Sequence, residues 1–135
     1  MGNLRFNKKE RIKSKKVIDE LFLGNSKSFT IYPIRVVYKS LDKQTKEQAQ
    51  ILLSVPKKKF KSAVDRNHIK RLFRESYRLN KAEFIEYLKT NDTKLAIALI
   101  YLSKEIIKYE EMEKKMKKLL LHIEENTVAN EKTDY

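Results

Sequence analysis

Apolar residues recur at helical spacing near the start of the chain, between residues 14 and 23. This spacing places apolar side chains on one side of a helix and polar ones on the other. Ser14 is a residue type that caps helix N-termini, and Gly24 or Asn25 marks the expected stop. The pattern predicts a short first helix whose apolar side comprises Val17, Ile18, Leu21 and Phe22.

Two segments rich in β-branched, aliphatic and aromatic residues predict strands. The first is Phe29–Tyr38, where Pro33 lacks the N–H of a sheet ladder and therefore indicates an edge or a bulge. The second is Ala49–Val55, which we expect to pair antiparallel with the first. The polar stretch Lys39–Gln48 connects them.

Apolar residues recur at helical spacing again in the middle of the chain. It predicts one helix over Arg66–Leu79, capped by the carboxylate of Asp65, and a second short helix around Lys81–Leu88. The polar residues Thr90–Thr93 indicate a turn after it.

The last third of the chain predicts one strand and one long helix. Leu95–Leu102 is continuously apolar, as in a strand that is buried on both faces. Ser103 is the expected cap of the final helix, and we expect fraying from Asn126. The apolar positions of this helix are Tyr109, Met112, Met116, Leu119 and Ile123.

These elements predict the fold class. The order is helix, strand, strand, helix, helix, strand, helix, which indicates an α+β or mixed α/β sandwich of one small sheet against helices. The length favours a single domain over residues 1–135, with an ordered core of about residues 8–125 and a frayed tail over 126–135.

Composition narrows the function. Lys and Arg number 31 against 18 Asp and Glu, a formal net charge of +13, which is typical of proteins that bind polyanions. The chain has no cysteine, and its two histidines, His68 and His122, are far apart, so no metal site is predicted. No stretch has the pattern of a signal peptide or a membrane span, which predicts a cytoplasmic protein without a membrane partner.

Positive charge concentrates between Lys57 and Arg78, where nine positions are cationic and two, Asp65 and Glu75, are acidic. Cations four residues apart on a helix repel one another, and a bound polyanion would offset that repulsion. A solvated charged surface is the alternative. Drawn on a helical wheel, the following residues fall within an arc of roughly 140°: Arg66, Asn67, Lys70, Arg71, Arg74 and Arg78.

This segment supports a resemblance to a known family. AVDRNHIKRLFRESYR resembles the signature of the bacterial ribonuclease P protein subunit, roughly Arg-Asn-Arg-hydrophobic-Lys-Arg-hydrophobic-hydrophobic-Arg after a Lys-Lys loop. The flanking elements occur in the family's order, so the resemblance covers roughly Arg11 to Ile123. One position departs, because His68 stands where the family has its second Arg, outside the cationic arc.

The resemblance implies a ribonucleoprotein endonuclease that removes the 5′ leader from precursor tRNA. Its partners would be a catalytic RNA subunit and precursor tRNA, with no protein partner required and with Mg²⁺ bound through the RNA. No catalytic residue is expected in the protein, and the sequence has no paired carboxylates or nucleophile set at convincing spacing. The implied fold is an α/β sandwich: a small mixed sheet of about four strands with three to four helices and a left-handed crossover around the basic helix.

The resemblance also implies two sets of binding residues. The expected contacts with the RNA subunit are Lys57, Lys58, Arg66, Asn67, Lys70, Arg71 and Arg74. The expected contacts with the precursor leader, in a cleft between the first helix and the sheet, are Ile18, Phe22, Tyr32, Lys15 and Arg35.

Several alternatives remain open from the sequence. Asn67 could serve only the start of its helix, His68 could be a helix histidine without a role, and Phe22 and Phe29 could belong to the core. Alternation along the strand does not decide which face lines the cleft. A structural RNA-binding protein of the ribosomal type, or a DNA-binding helix protein, would share the charge and the basic helix.

Overall fold

The computed structural model describes residues 8–42 and 44–133, with side chains described as far as residue 127. After a 3₁₀ turn at Lys8–Glu10, the elements in chain order are α1 (Lys15–Leu23), β1 (Lys27–Ile31), β2 (Ile34–Ser40), β3 (Ala49–Ser54), α2 (Ala63–Thr90), β4 (Leu95–Tyr101) and α3 (Tyr109–Thr133).

The strands form one mixed sheet in the order β1-β2-β4-β3. β1 and β2 are antiparallel, β2 and β4 are antiparallel, and β3 is parallel to β4. β4 is central and buried along nearly all its length, as its continuous apolar run predicts. The α+β class and the small mixed sheet are confirmed in the described residues.

The helices cover both faces of the sheet. α2 and α3 pack on one face around the larger core, which includes Phe73, Leu99 and Met116. α1 packs on the other face around a smaller core, which includes Leu21 and Val37. Ser14 caps α1 as predicted, because its Oγ accepts a hydrogen bond from the Val17 N–H at 3.4 Å.

The predicted single strand over Phe29–Tyr38 is wrong. The segment is part of the hairpin β1–β2, with Tyr32 and Pro33, joined by a cis peptide bond, in the turn. Phe29 pairs with Val36 across the hairpin. The sequence pattern is continuous because both strands are rich in the same residue types, while Pro33 marks the turn rather than a bulge.

The predicted antiparallel pairing of the second strand with the first is also wrong. β3 lies at the sheet edge, separated from β2 by β4, and runs parallel to β4. α2 is the crossover that carries the chain back so that β4 starts at the same end as β3. This is the connection for which the resemblance implies a left-handed path.

One helix replaces the two predicted in the middle of the chain. α2 is continuous for 28 residues and is capped by Ser62, whose Oγ accepts from the Asp65 N–H at 3.4 Å, so Asp65 is not the cap. At the expected break, the Asn80 side-chain amide donates to the Ser76 carbonyl at 2.7 Å, one turn earlier. No Gly or Pro interrupts the segment, and the helix therefore propagates.

The prediction that Ser103 caps the final helix is wrong. α3 begins at Tyr109, whereas the Ser103 Oγ accepts from the Glu105 N–H at 3.0 Å within the preceding loop. The Tyr101 hydroxyl, which accepts from the Ile107 N–H at 3.2 Å, holds the same loop against β4. The frayed tail from Asn126 stays a prediction: α3 continues to Thr133, and residues 134 and 135 lie outside the described part.

A buried ion pair joins the start of the chain to α2. The Lys81 Nζ lies 2.6 Å from the Glu10 Oε1, and each side chain is only 7% exposed. The next residues continue this attachment, because Arg11 forms a parallel bridge with Ile51 and the Ile12 N–H donates to the Ile51 carbonyl at 3.1 Å. The segment before α1 thus lies along the outer edge of β3.

Candidate nucleic-acid interface

One side of α2 is buried in the larger core and the opposite side is cationic. Ile69 and Phe73 on the buried side have no measurable exposure. We call the opposite side the basic face, and it comprises Arg66, Asn67, Lys70, Arg71 and Arg74. Asn67 and Arg71 are exposed, and the other members are half-buried, so the face is open to a large partner.

The surroundings of Arg78 and Leu79 differ from those that the helical wheel predicts. Arg78 pairs with Glu75 one turn earlier through two of its guanidinium nitrogens, and this hydrogen bonding lowers the pKa of the Glu75 carboxyl. The Arg78 charge is therefore locally balanced. Leu79 lies on the opposite side of the helical wheel from the cationic arc, yet it is 45% exposed. The basic face ends at Arg74.

The loop before α2 is held by cations as well as by apolar contacts. The Arg66 Nη1 donates to the carbonyls of Phe60 at 2.7 Å and Lys61 at 3.0 Å, and the Lys59 Nζ donates to the Leu102 carbonyl. Lys57 and Lys58 are exposed in the turn of this loop. Arg66 therefore links the loop to the basic face in addition to its predicted binding role.

Asn67 and His68 are both exposed on α2. Because Ser62 caps the helix and Ala63 starts it, Asn67 lies beyond the first turn and does not cap the helix start. A side chain placed there is available for an external hydrogen bond. His68 lies outside the basic face, as its wheel position predicts.

Arg74 stands in a strongly positive environment. Burial is the largest cause that lowers the pKa of Arg74, and the neighbouring charges of Arg11 and Arg71 lower it further. Each cause makes the charged form harder to hold in the unbound protein. An anion at this position would be favoured by all three side chains together.

A second surface lies on the side of the sheet that α1 covers. Register pairing places Thr30, Arg35, Ile100 and Ser54 side by side across the four strands. Thr30 and Arg35 are exposed and the other two are half-buried. The next row, which contains Val37 and Ala98, is buried beneath α1. The row with Arg35 is thus the uncovered part of the sheet face on which α1 packs.

α1 contributes a polar side and an apolar side to this surface. Lys15 is exposed in the first turn, Ile18 is half-buried against the smaller core, and Phe22 is 48% exposed. The alternative that Phe22 is a core residue is therefore wrong. The core alternative holds for Phe29, whose ring lies 3.9 Å from the His122 ring of α3 on the opposite face.

Tyr32 lies at the tip of the hairpin and is 63% exposed. It borders an open depression of about 530 Å³ that the turn shares with Lys59, Ser103 and Lys104. Phe22 is in the last turn of α1, just before β1 starts, whereas Tyr32 follows the end of β1. The two aromatic residues therefore lie at different places, one at the end of a helix and one at the tip of the hairpin.

Sequence reasoning missed Arg11. It lines a pocket of about 170 Å³ together with Lys70 and Arg74 of the basic face. The alternation of polar and apolar residues at Arg11 and Ile12 is the only local sign of an extended segment there. Its spatial neighbours lie some sixty positions later in the chain, so periodicity could not identify them.

None of the helices in the described ranges is long and apolar enough to cross a membrane. In the same ranges, no three His, Asp or Glu side chains are grouped so that they could hold a metal ion.

Comparison with known proteins identifies the family. The model of the Ribonuclease P family matches residues 6–124. Ribonuclease P protein components from two Porphyromonas gingivalis strains are 38% identical over 124 residues, which is 92% of this chain and 90% of each relative.

Solved structures share the fold. The RNase P protein of Staphylococcus aureus superposes with a TM-score of 0.65 at 20% identity, covering 84% of this chain and 94% of that one. The RNase P protein of Thermotoga maritima superposes with a TM-score of 0.65 at 22% identity, covering 82% and 94%. Family model, relatives and fold agree, and the chain belongs to the ribonuclease P protein component family.

Proposed function

We propose that this chain is the accessory protein subunit of a ribonuclease P ribonucleoprotein, which removes the 5′ leader of precursor tRNA at a catalytic centre in its RNA partner. Family membership supports the general role and favours it over a ribosomal or a DNA-binding one. The observation that supports the division of labour is the separation of two open surfaces. The basic face lies on α2, and the exposed aromatic and polar residues lie on the hairpin and the α1 side.

The basic face suits the phosphate backbone of a folded RNA. Arg71 and Arg74 can each present a planar fork of donors to phosphate oxygens, while Lys70 on the face and Lys57 and Lys58 in the loop before α2 act as mobile point charges. Such contacts depend strongly on salt and weakly on base identity. Binding of the catalytic RNA at this face needs no reactive side chain in the protein.

The α1 side suits a single-stranded leader. Phe22 offers an exposed ring for base stacking on this side, Tyr32 offers another at the hairpin tip, and Lys15 and Arg35 offer charges for the RNA backbone. An extended RNA strand could stack one base on Phe22 near the end of α1 and another on Tyr32 at the hairpin tip. Magnesium ions would be held by the RNA and its substrate, where phosphate oxygens supply the ligands.

Tyr32→Ala tests this assignment. Loss of one stacked base costs about 1–3 kcal/mol, so the affinity of the assembled complex for precursor tRNA should fall roughly 5- to 150-fold. Assembly with the catalytic RNA should stay unchanged, because Tyr32 is outside the basic face. Both affinities are measured by titration under the same salt and magnesium conditions.

Leu121→Ala is the matched control for that variant, since Leu121 is an exposed apolar side chain on α3. It should leave both affinities unchanged. A Tyr32→Ala protein that binds precursor as tightly as the wild type, or that loses assembly instead, would contradict the assignment of the leader to this side.

A further inference from the structure

A small basic pocket lies at the outer edge of β3. Arg11 comes from the segment before α1, whereas Lys70 and Arg74 are one turn apart on α2. Leu52 and Leu53 of β3 form part of an aliphatic floor. Two distant parts of the chain thus bring three cations to one site with an apolar base.

The backbone fixes Arg11 at this site. Arg11 forms its parallel bridge with Ile51, the following Ile12 N–H donates to the Ile51 carbonyl at 3.1 Å, and the preceding Glu10 is anchored to Lys81 in the interior. A surface cation whose neighbours are held by a main-chain contact on one side and a buried ion pair on the other loses less freedom on binding than one on a free loop. The pocket is therefore built into the fold.

The like charges in the pocket repel one another in the unbound protein. Burial is the largest cause that lowers the pKa of Arg74, and the charges of Arg11 and Arg71 lower it further. The three guanidinium groups are therefore close enough to repel one another. Guanidinium groups placed in this way are stabilised by an anion that all of them can contact.

Size restricts the ligand. The pocket holds about 170 Å³, close to the volume of roughly six water molecules at about 30 Å³ each. That space suits one phosphate group with its adjoining sugar. The aliphatic floor suits the sugar, and the cationic rim suits the phosphate oxygens.

We propose that Arg11, Lys70 and Arg74 form a binding pocket for one phosphodiester group of an RNA strand. The choice of RNA rests on the proposed function. The site lies at the edge of the sheet, between its two faces. Leu52 packs with the smaller core beneath α1, and Leu53 packs with the larger core beneath α2. Because Lys70 and Arg74 also belong to the basic face, the expected occupant is a strand of the catalytic RNA, and a strand of the precursor is the other outcome that the test distinguishes.

Charge-removing variants test the pocket. Arg11→Gln and Arg74→Gln retain much of each stem while they remove the charge, and the double variant tests whether both residues share a ligand. Lys89→Gln is the control, because Lys89 is an exposed cation in the last turn of the same helix. Thermal unfolding of each variant shows whether the fold is intact.

The variants are compared in three binding titrations. The first measures the affinity of the protein alone for a mixed-sequence single-stranded RNA of about 12 nucleotides. The second measures its affinity for the catalytic RNA, and the third measures the affinity of the assembled complex for precursor tRNA. Arg11→Gln should weaken the 12-mer roughly 3- to 10-fold, with a salt slope smaller by about 0.7. It should also weaken one of the other two titrations. A loss with the catalytic RNA assigns the phosphate to that RNA, and a loss with the precursor assigns it to the leader. The double variant should lose less than the product of the single losses.

Two results would overturn the pocket: Arg11→Gln behaving like Lys89→Gln in all three titrations, or Arg11 and Arg74 acting independently in the double variant. Failure of the proposed function would look different. In that case the wild-type protein would not speed precursor cleavage by the catalytic RNA, while the 12-mer titration would still decide whether the pocket binds a phosphodiester.

Discussion

Glu10→Gln is expected to lower the free energy of unfolding by about 3–5 kcal/mol, because it leaves the Lys81 ammonium buried without its countercharge. The two groups lie 2.6 Å apart and are each 7% exposed, so water cannot replace the lost carboxylate without opening the structure. For a chain of this size the midpoint of thermal unfolding should fall by roughly 10–20 °C. Calorimetry or circular dichroism at fixed pH measures both quantities.

Two comparisons make this test specific. Glu20→Gln removes one partner of the exposed Lys39–Glu20 pair, whose closest atoms are 3.9 Å apart, and it should cost no more than about 1 kcal/mol. Replacing both Glu10 and Lys81 by Met should recover most of the stability, since no buried charge is then left. A loss of under about 1 kcal/mol for Glu10→Gln would contradict the structural role of the pair.

The same variant bears on RNA binding. Glu10 precedes Arg11, so loosening the buried pair also frees the segment that places Arg11 beside Arg74. If Arg11 binds RNA as proposed, Glu10→Gln should weaken both stability and RNA binding.

Arg71→Ala combined with Arg74→Ala is expected to weaken assembly with the catalytic RNA on the order of 10²-fold or more. Hydrogen bonds to charged groups contribute about 1.5–3 kcal/mol each, and two are removed. The slope of log affinity against log salt should become shallower by about 1.8, since roughly 0.9 is lost for each phosphate contact on a duplex. Binding titrations at four or five salt concentrations measure both effects.

Lys46→Ala combined with Lys89→Ala is the matched control for the arginine variant. It removes the same net charge from exposed positions outside the basic face. If this control weakened assembly and flattened the salt slope as much as the arginine variant, binding would follow overall charge and not the α2 surface.

Local patterns predict the local elements well. The cap at Ser14 and the spacing of Val17 and Leu21 define α1, and the apolar run of β4 identifies the central strand. The cationic arc of α2 is also predictable, because helical angles follow directly from position. In each case the information lies within one or two helical turns or a single strand.

Features that depend on residues far apart in the sequence cannot be predicted from such patterns. Strand pairing places β3 beside β4 rather than β2, and nothing within β3 specifies its partner. The Tyr32–Pro33 turn divides a segment whose composition is uniform. Arg11 meets Lys70 and Arg74 only because the fold brings the chain start to the edge of β3. The open row on the α1 side likewise depends on register across four strands.

The most direct test of the proposed function is cleavage by the reconstituted complex. The protein is mixed with its cognate catalytic RNA and precursor tRNA at low magnesium, where phosphate repulsion limits the RNA alone, and release of the 5′ leader is followed with time. The proposed function predicts faster cleavage with the protein than with the RNA alone. An equal rate with and without the protein, at concentrations where the two are shown to bind, would contradict it.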